Sequence, residues 1–164
     1  MSKTEQNLWE AFAGESQANR KYLAFAEKAD REGYTQAAKL FRAAAHAETI
    51  HAHAHLRALK AIGDTAANLR EAVAGETHEF KNMYPDMIKT AKEEEHKAAE
   101  RSFTYANEVE KTHAALYQKI LDNLDNPAEA DYYVCKVCGH THENEAPEKC
   151  PVCGANQNAF EKVD

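Results

Sequence analysis

Along residues 4–125 apolar positions are interleaved with charged and amide ones, and no apolar run approaches the ~18–20 residues that span a bilayer. The stretch is rich in Ala, Glu, Lys, Leu and Gln, has few β-branched residues, and holds one proline, Pro85. This pattern predicts helices. Breaks fall at Asp30–Thr35, where Gly33 can end one helix and Thr35 can cap the next, and at Ile62-Gly63-Asp64-Thr65. Tyr84-Pro85 should kink or interrupt a third helix, and a weakly capped boundary falls within 90–95. Four helices are therefore predicted over roughly 4–31, 35–62, 67–90 and 93–124, ending at Asp125-Asn126-Pro127.

From 131 the pattern changes. Asp131-Tyr132-Tyr133-Val134 reads as a short strand, and Cys135-Lys136-Val137-Cys138-Gly139 and Cys150-Pro151-Val152-Cys153-Gly154 follow. Two domains are expected, a helical one over 1–126 and a small one over 131–164. The second is too short to hold itself together by apolar burial, so it needs a metal. Its two CxxC pairs can form a tetrahedral set of four thiolates, which suits zinc or iron.

Charge narrows the partners. Charged residues make up 29% of the chain and the net charge is −7, with no basic stripe, so nucleic acid is not an expected partner. The start, MSKTEQNLWEAF, lacks a basic segment followed by an apolar one. No membrane association and a cytoplasmic location are the expectations.

The histidine-rich stretch AETIHAHAHL, residues 47–56, poses the functional question. An internal repeat answers it. Ala13-Gly14-Glu15-Ser16 resembles Ala74-Gly75-Glu76-Thr77. Glu48 lies 33 residues after Glu15 and begins a Glu-x-x-His that ends at His51; Glu110 lies 34 residues after Glu76 and begins another that ends at His113. Residues i and i+3 share a helix face, so each such pair can grip one metal. Four carboxylates and two imidazoles form the ligand set of a di-iron carboxylate site in a four-helix bundle, with Fe or Mn as the suited metal. A third Glu-x-x-His, Glu93 to His96, has no partner glutamate and reads as a solvated face; His46, His53 and His55 read as surface or packing residues. Glu79 shares the face of Glu76, whereas the matching position in the first half is Ala18. That surplus carboxylate offers one metal a choice, Glu79 for a ferric ion and neutral His51 for a ferrous one.

These motifs, with Met83-Tyr84-Pro85, make the chain resemble the rubrerythrins over nearly its whole length. The resemblance implies a ferritin-like all-α four-helix bundle with a di-iron site and a small C-terminal rubredoxin-like β domain holding one iron on Cys135, Cys138, Cys150 and Cys153. It implies a peroxidase reducing hydrogen peroxide to water in oxidative-stress protection, with electrons from an NAD(P)H-dependent reductase, often by way of a rubredoxin. It further implies an iron that moves between His51 and Glu79 with redox state, and Tyr22 and Tyr84 as donors to the carboxylates. Within that frame Glu15, with His51 or Glu79, would hold one iron and Glu76 with His113 the other, Glu48 and Glu110 bridging. Two other classes compete, an iron-oxidising or iron-storing protein and a structural module whose cysteines hold zinc. Chain length adds one expectation. Returning from Ile62 to Asn68 would require covering about 28 Å along a bundle, which six residues cannot span, so a domain-swapped homodimer sharing its metal sites is predicted.

Overall fold

The computed structural model describes residues 1–163. Its helices are α1 (Lys3–Arg31), α2 (Thr35–Leu59), α3 (Thr65–His78), α4 (Tyr84–Glu93) and α5 (Lys97–Asp122). A five-residue π-helical segment, Glu79–Met83, joins α3 to α4, so the two form one interrupted rod. Three short strands follow: β1 (Tyr132–Cys135), β2 (Thr141–Glu143) and β3 (Phe160–Val163). Among the described residues no helix is long and apolar enough to cross a membrane.

The chain divides into two compact units, Met1–Gly63 and Asp64–Asp164. The first is the α1–α2 hairpin. Its buried residues are all alanines: Ala26, Ala29, Ala38, Ala45 and Ala52. Small side chains let the two backbones approach closely, and Asn19 ties them by donating to the Ala45 carbonyl (2.7 Å) and the Thr49 hydroxyl (2.9 Å). Larger apolar groups stay outside that seam; Leu40 is 68% exposed and Ile50 55%. In the second unit α5 packs along α3, the π segment and α4, and the three strands form an antiparallel sheet in the order β2-β1-β3.

Each hairpin turns in the same way. In the first, Tyr34 donates to the Ala29 carbonyl and Gly33 to that of Asp30; in the second, His96 donates to Ala91 and Glu95 to Lys92. This closes a helix through one left-handed residue, with φ +82° at Gly33 and +55° at Glu95. Thr35 is the first residue of α2 rather than its cap; Tyr34 occupies the cap without a side-chain bond. The third Glu-x-x-His has a local task, since His96 Nδ1 accepts from the Ala99 amide and caps α5.

Several boundaries differ from the sequence reading: the interrupted third helix runs to Glu93 rather than 90 and the last spans Lys97–Asp122 rather than 93–124, because the Glu94–His96 turn separates them, and two more have local causes. The second helix stops at Leu59, because Lys60 turns left-handed (φ 54°) and closes the helix three residues early. The third starts at Thr65, because the Asp64 carboxylate captures the Ala67 amide at 2.7 Å.

The π segment explains the unequal repeat. Glu48 and Glu110 each lie thirteen residues into their helix numbering from Thr35 and Lys97. The extra residue of the second half therefore falls between Glu76 and Glu93, where Tyr84 N–H reaches back five residues to the Glu79 carbonyl. Pro85 follows at once; its missing N–H and its ring disfavour a regular α turn here. In a straight helix the residue eight places after Glu76 would sit about 80° off its face. With one residue absorbed, Tyr84 returns to that face, as Tyr22, seven places after Glu15, does without help.

Candidate metal centres

The two Glu-x-x-His pairs are built alike. On α2, His51 Nδ1 lies 2.8 Å from Glu48 and 4.0 Å from Glu15 of α1. On α5, His113 Nδ1 lies 2.8 Å from Glu110 and 3.8 Å from Glu76 of α3. Each trio offers one nitrogen and two carboxylate oxygens, all within 4.8 Å of one another. Donors adjacent in an octahedral shell of radius about 2.1 Å stand about 3 Å apart, so each set fits half of a dinuclear carboxylate site with small side-chain adjustments. The first trio is the more open, with the His51 side chain 54% exposed against 27% for His113.

The second unit adds groups the first lacks. Glu79, on the π segment, stands beside the Glu76 trio. Burial raises its carboxyl above the ordinary value, and the Glu76 charge adds to the rise. Glu76 is likewise raised, first by burial, then by the Glu110 charge, against an opposing effect from His113. Tyr84 faces all three carboxylates: burial raises its phenol, and Glu79, Glu110 and Glu76 raise it further. It therefore remains a hydroxyl donor. Both tyrosine rings pack on phenylalanines, Tyr84 on Phe103 and Tyr22, its counterpart in the repeat, on Phe25 and Phe41. His46, His53 and His55 join neither trio.

The third centre is the cysteine cluster. The four sulfurs lie within 4.8 Å of one another, with Cys135–Cys153 at 3.7 Å and Cys138–Cys150 at 3.5 Å. A tetrahedral metal with bonds of about 2.3 Å requires sulfur separations of about 3.8 Å, so the cluster is already shaped for one ion. Each CxxC forms a knuckle: Gly139 donates to the Cys135 carbonyl and Gly154 to that of Cys150, with φ +84° and +75°. Backbone N–H groups then aim at sulfur, from His140 to Cys138, from Cys153 and Val152 to Cys150, and from Ala155 to Cys153. Burial pushes the Cys138 thiol far up. A cation is what brings such a thiol back to thiolate.

Sequence reasoning passed over Thr141. Its hydroxyl lies 3.0 Å from His113 Nε2, and no local motif announces a contact between residues 28 apart.

Comparison with known proteins agrees with this construction. The Rubrerythrin family matches residues 6–121, and the rubredoxin-like domain of rubrerythrin matches 133–161. Rubrerythrin-2 of Clostridium acetobutylicum is 38% identical, covering 96% of this chain and 95% of its own. Nigerythrin of Nitratidesulfovibrio vulgaris is 34% identical, covering 98% and 86%. A solved structure of nigerythrin in its fully reduced, all-ferrous state superposes with a TM-score of 0.60 at 33% identity, covering 99% of this chain and 88% of that one. With paired Glu-x-x-His helices, a four-cysteine knuckle and these relatives in agreement, the chain belongs to the rubrerythrin family.

Proposed function

We propose that this protein reduces hydrogen peroxide to water, drawing electrons through its four-cysteine iron from a rubredoxin or an NAD(P)H-dependent reductase. As a rubrerythrin it is an oxidoreductase of the peroxide-reducing di-iron class, ferritin-like in its helices, with two non-haem irons and one four-cysteine iron as cofactors. When bound, the iron pair supplies the two electrons that break an O–O bond.

The chain's own groups have distinct tasks in this reading. Glu48 and Glu110 would bridge the metals, Glu76 and His113 would hold one, and Glu15 with His51 or Glu79 the other. Tyr84 stays protonated among three carboxylates and would steady their charge by donation. The functional domains are 1–126 and 131–164.

The reading rests above all on two trios of like spacing, each too small alone to hold a metal pair, in one chain with a four-cysteine cluster. The surplus Glu79 favours redox cycling over iron storage, because a ligand choice serves a metal whose charge changes. Its variant Glu79→Ala should bind the ferrous pair normally but reoxidise about ten-fold more slowly with peroxide. The decisive measurement is anaerobic reduction followed by stoichiometric peroxide. Rapid reoxidation at two electrons per peroxide is expected; fast reaction with oxygen alone, or a colourless zinc-loaded protein, would overturn it.

We further infer a domain-swapped homodimer. Leu59 to Thr65 is six Cα steps, about 20 Å at most. A return along the bundle between His51 and Glu76 would need about 28 Å. Exposed Leu40 and Ile50 on the first hairpin supply apolar surface for such a pairing. Glu15, Glu48 and His51 of one chain would then meet Glu76, Glu79, Glu110 and His113 of another. Native mass spectrometry should show a dimer carrying two di-iron pairs, and a monomer holding a complete pair would end this part of the reading.

A further inference from the structure

Among the described residues, two side-chain hydrogen bonds run from α5 to β2, between the helical part of the second unit and its four-cysteine module. Thr141 and Glu143 alternate to the same face of the strand. Thr141 meets His113 at 3.0 Å, and Glu143 meets Lys119 at 2.7 Å. The first contact matters because of what His113 does with its other nitrogen.

His113 Nδ1 points at Glu110 and Glu76. To bind a metal there, Nδ1 must present its lone pair, so the ring hydrogen must sit on Nε2. Nε2 then donates to the Thr141 hydroxyl. The Thr141 hydrogen is left to point at the Gly139 carbonyl, 3.5 Å away. Gly139 directly follows Cys138. The contact opens on a cleft lined by Leu69, Leu116 and Tyr132, an apolar setting in which a hydrogen bond orients strongly. Among the described residues His51 has contacts through Nδ1 alone, so the arrangement marks the second trio.

We propose that Thr141 is a positioning residue for the di-iron site. It holds His113 in the Nδ1-ligating tautomer, and through Gly139 it connects that ligand to the four-cysteine centre of the same chain. The inference rests on His113 being a metal ligand. With both centres loaded, Cys138, Gly139, Thr141 and His113 would form a bonded route between them for one electron at a time. The exchange would balance as one electron lost by iron held at the four cysteines and one gained by iron held beside His113. No bond on the path breaks and no proton moves.

The test compares iron-loaded full-length protein with Thr141→Val, Thr141→Ala and Thr141→Ser. Two readouts are taken. One is the exchange rate of the metal-shifted His N–H proton resonance in the reduced protein. The other is the speed at which the red thiolate colour returns after peroxide is added to fully reduced protein. Removing the hydroxyl should slow colour return about ten-fold, the usual cost of a lost partner behind a metal ligand, and should accelerate exchange of that N–H. Thr141→Ser should restore both. Wild-type behaviour of both hydroxyl-free variants, or a Ser variant that behaves like them, overturns the inference while leaving the peroxidase reading intact. Absence of the shifted His signal from every protein, the unmodified one included, overturns the ligand assignment and the inference together.

Discussion

The two helical hairpins carry the same ligand trio with the same Nδ1–carboxylate spacing, yet only one of them is elaborated. The α1–α2 hairpin is a bare version: a lone Glu15, a Glu48–His51 pair, and an alanine seam. The second unit adds a π segment, the surplus Glu79, and a threonine behind its histidine. The duplicated scaffold supplies two matching trios, while one copy alone carries a further carboxylate and a contact with the four-cysteine module.

The largest effect should come from breaking what the hairpins share. Glu110→Ala, like Glu48→Ala, should abolish binding of the iron pair and cut peroxide-driven reoxidation by at least about a hundred-fold. Iron analysis should then find only the thiolate-bound ion, with its red absorbance unchanged.

Next comes what they do not share. Tyr84→Phe removes the phenol hydroxyl that senses the Glu79, Glu110 and Glu76 charges. Peroxide-driven reoxidation should slow about ten-fold, whereas Tyr22→Phe, in the hairpin where Ala18 stands in place of Glu79, should change it less. Equal losses from both would mean that the hairpins contribute alike.

A third expectation concerns pH. Glu76 and Glu79 have carboxyls raised above 4.5 by burial and by neighbouring charge. In the metal-free protein their contribution to stability is present below 4.5 and is lost as pH rises through the raised values. Metal loading runs the other way, since both must ionise to bind, and should fall as pH drops through the same window. Denaturant melts of the metal-free protein and iron titrations across that window should show opposite slopes.

The smallest effect tests the turns. Gly33 and Glu95 occupy the same left-handed position. Gly33→Ala should cost about 1 kcal/mol, and Glu95→Gly should stabilise by up to about 1 kcal/mol. Chemical denaturation resolves both.

Much of this was legible beforehand because its causes are local. Helix composition, the i,i+3 ligand pairs, the AGE repeat and the CxxC knuckles each depend on residues a few positions apart, and all four appear as predicted elements. Pro85 marked the interruption of the third helix. The 33- and 34-residue spacings were visible too, but not their reconciliation, because a count cannot tell a longer turn from a residue absorbed within a helix. The capping roles of Asp64 and His96 were hidden for a related reason: either side chain could equally have faced solvent.

By itself, then, the sequence determined which side chains could become ligands, since helical periodicity places them on one face whatever surrounds them. Only the tertiary structure decided which of those faces acquires further groups. The π segment rotates Tyr84 onto the carboxylates, and the docking of β2 on α5 sets Thr141 behind His113. Both depend on backbone geometry and on packing between distant segments, which spacing along a chain does not encode.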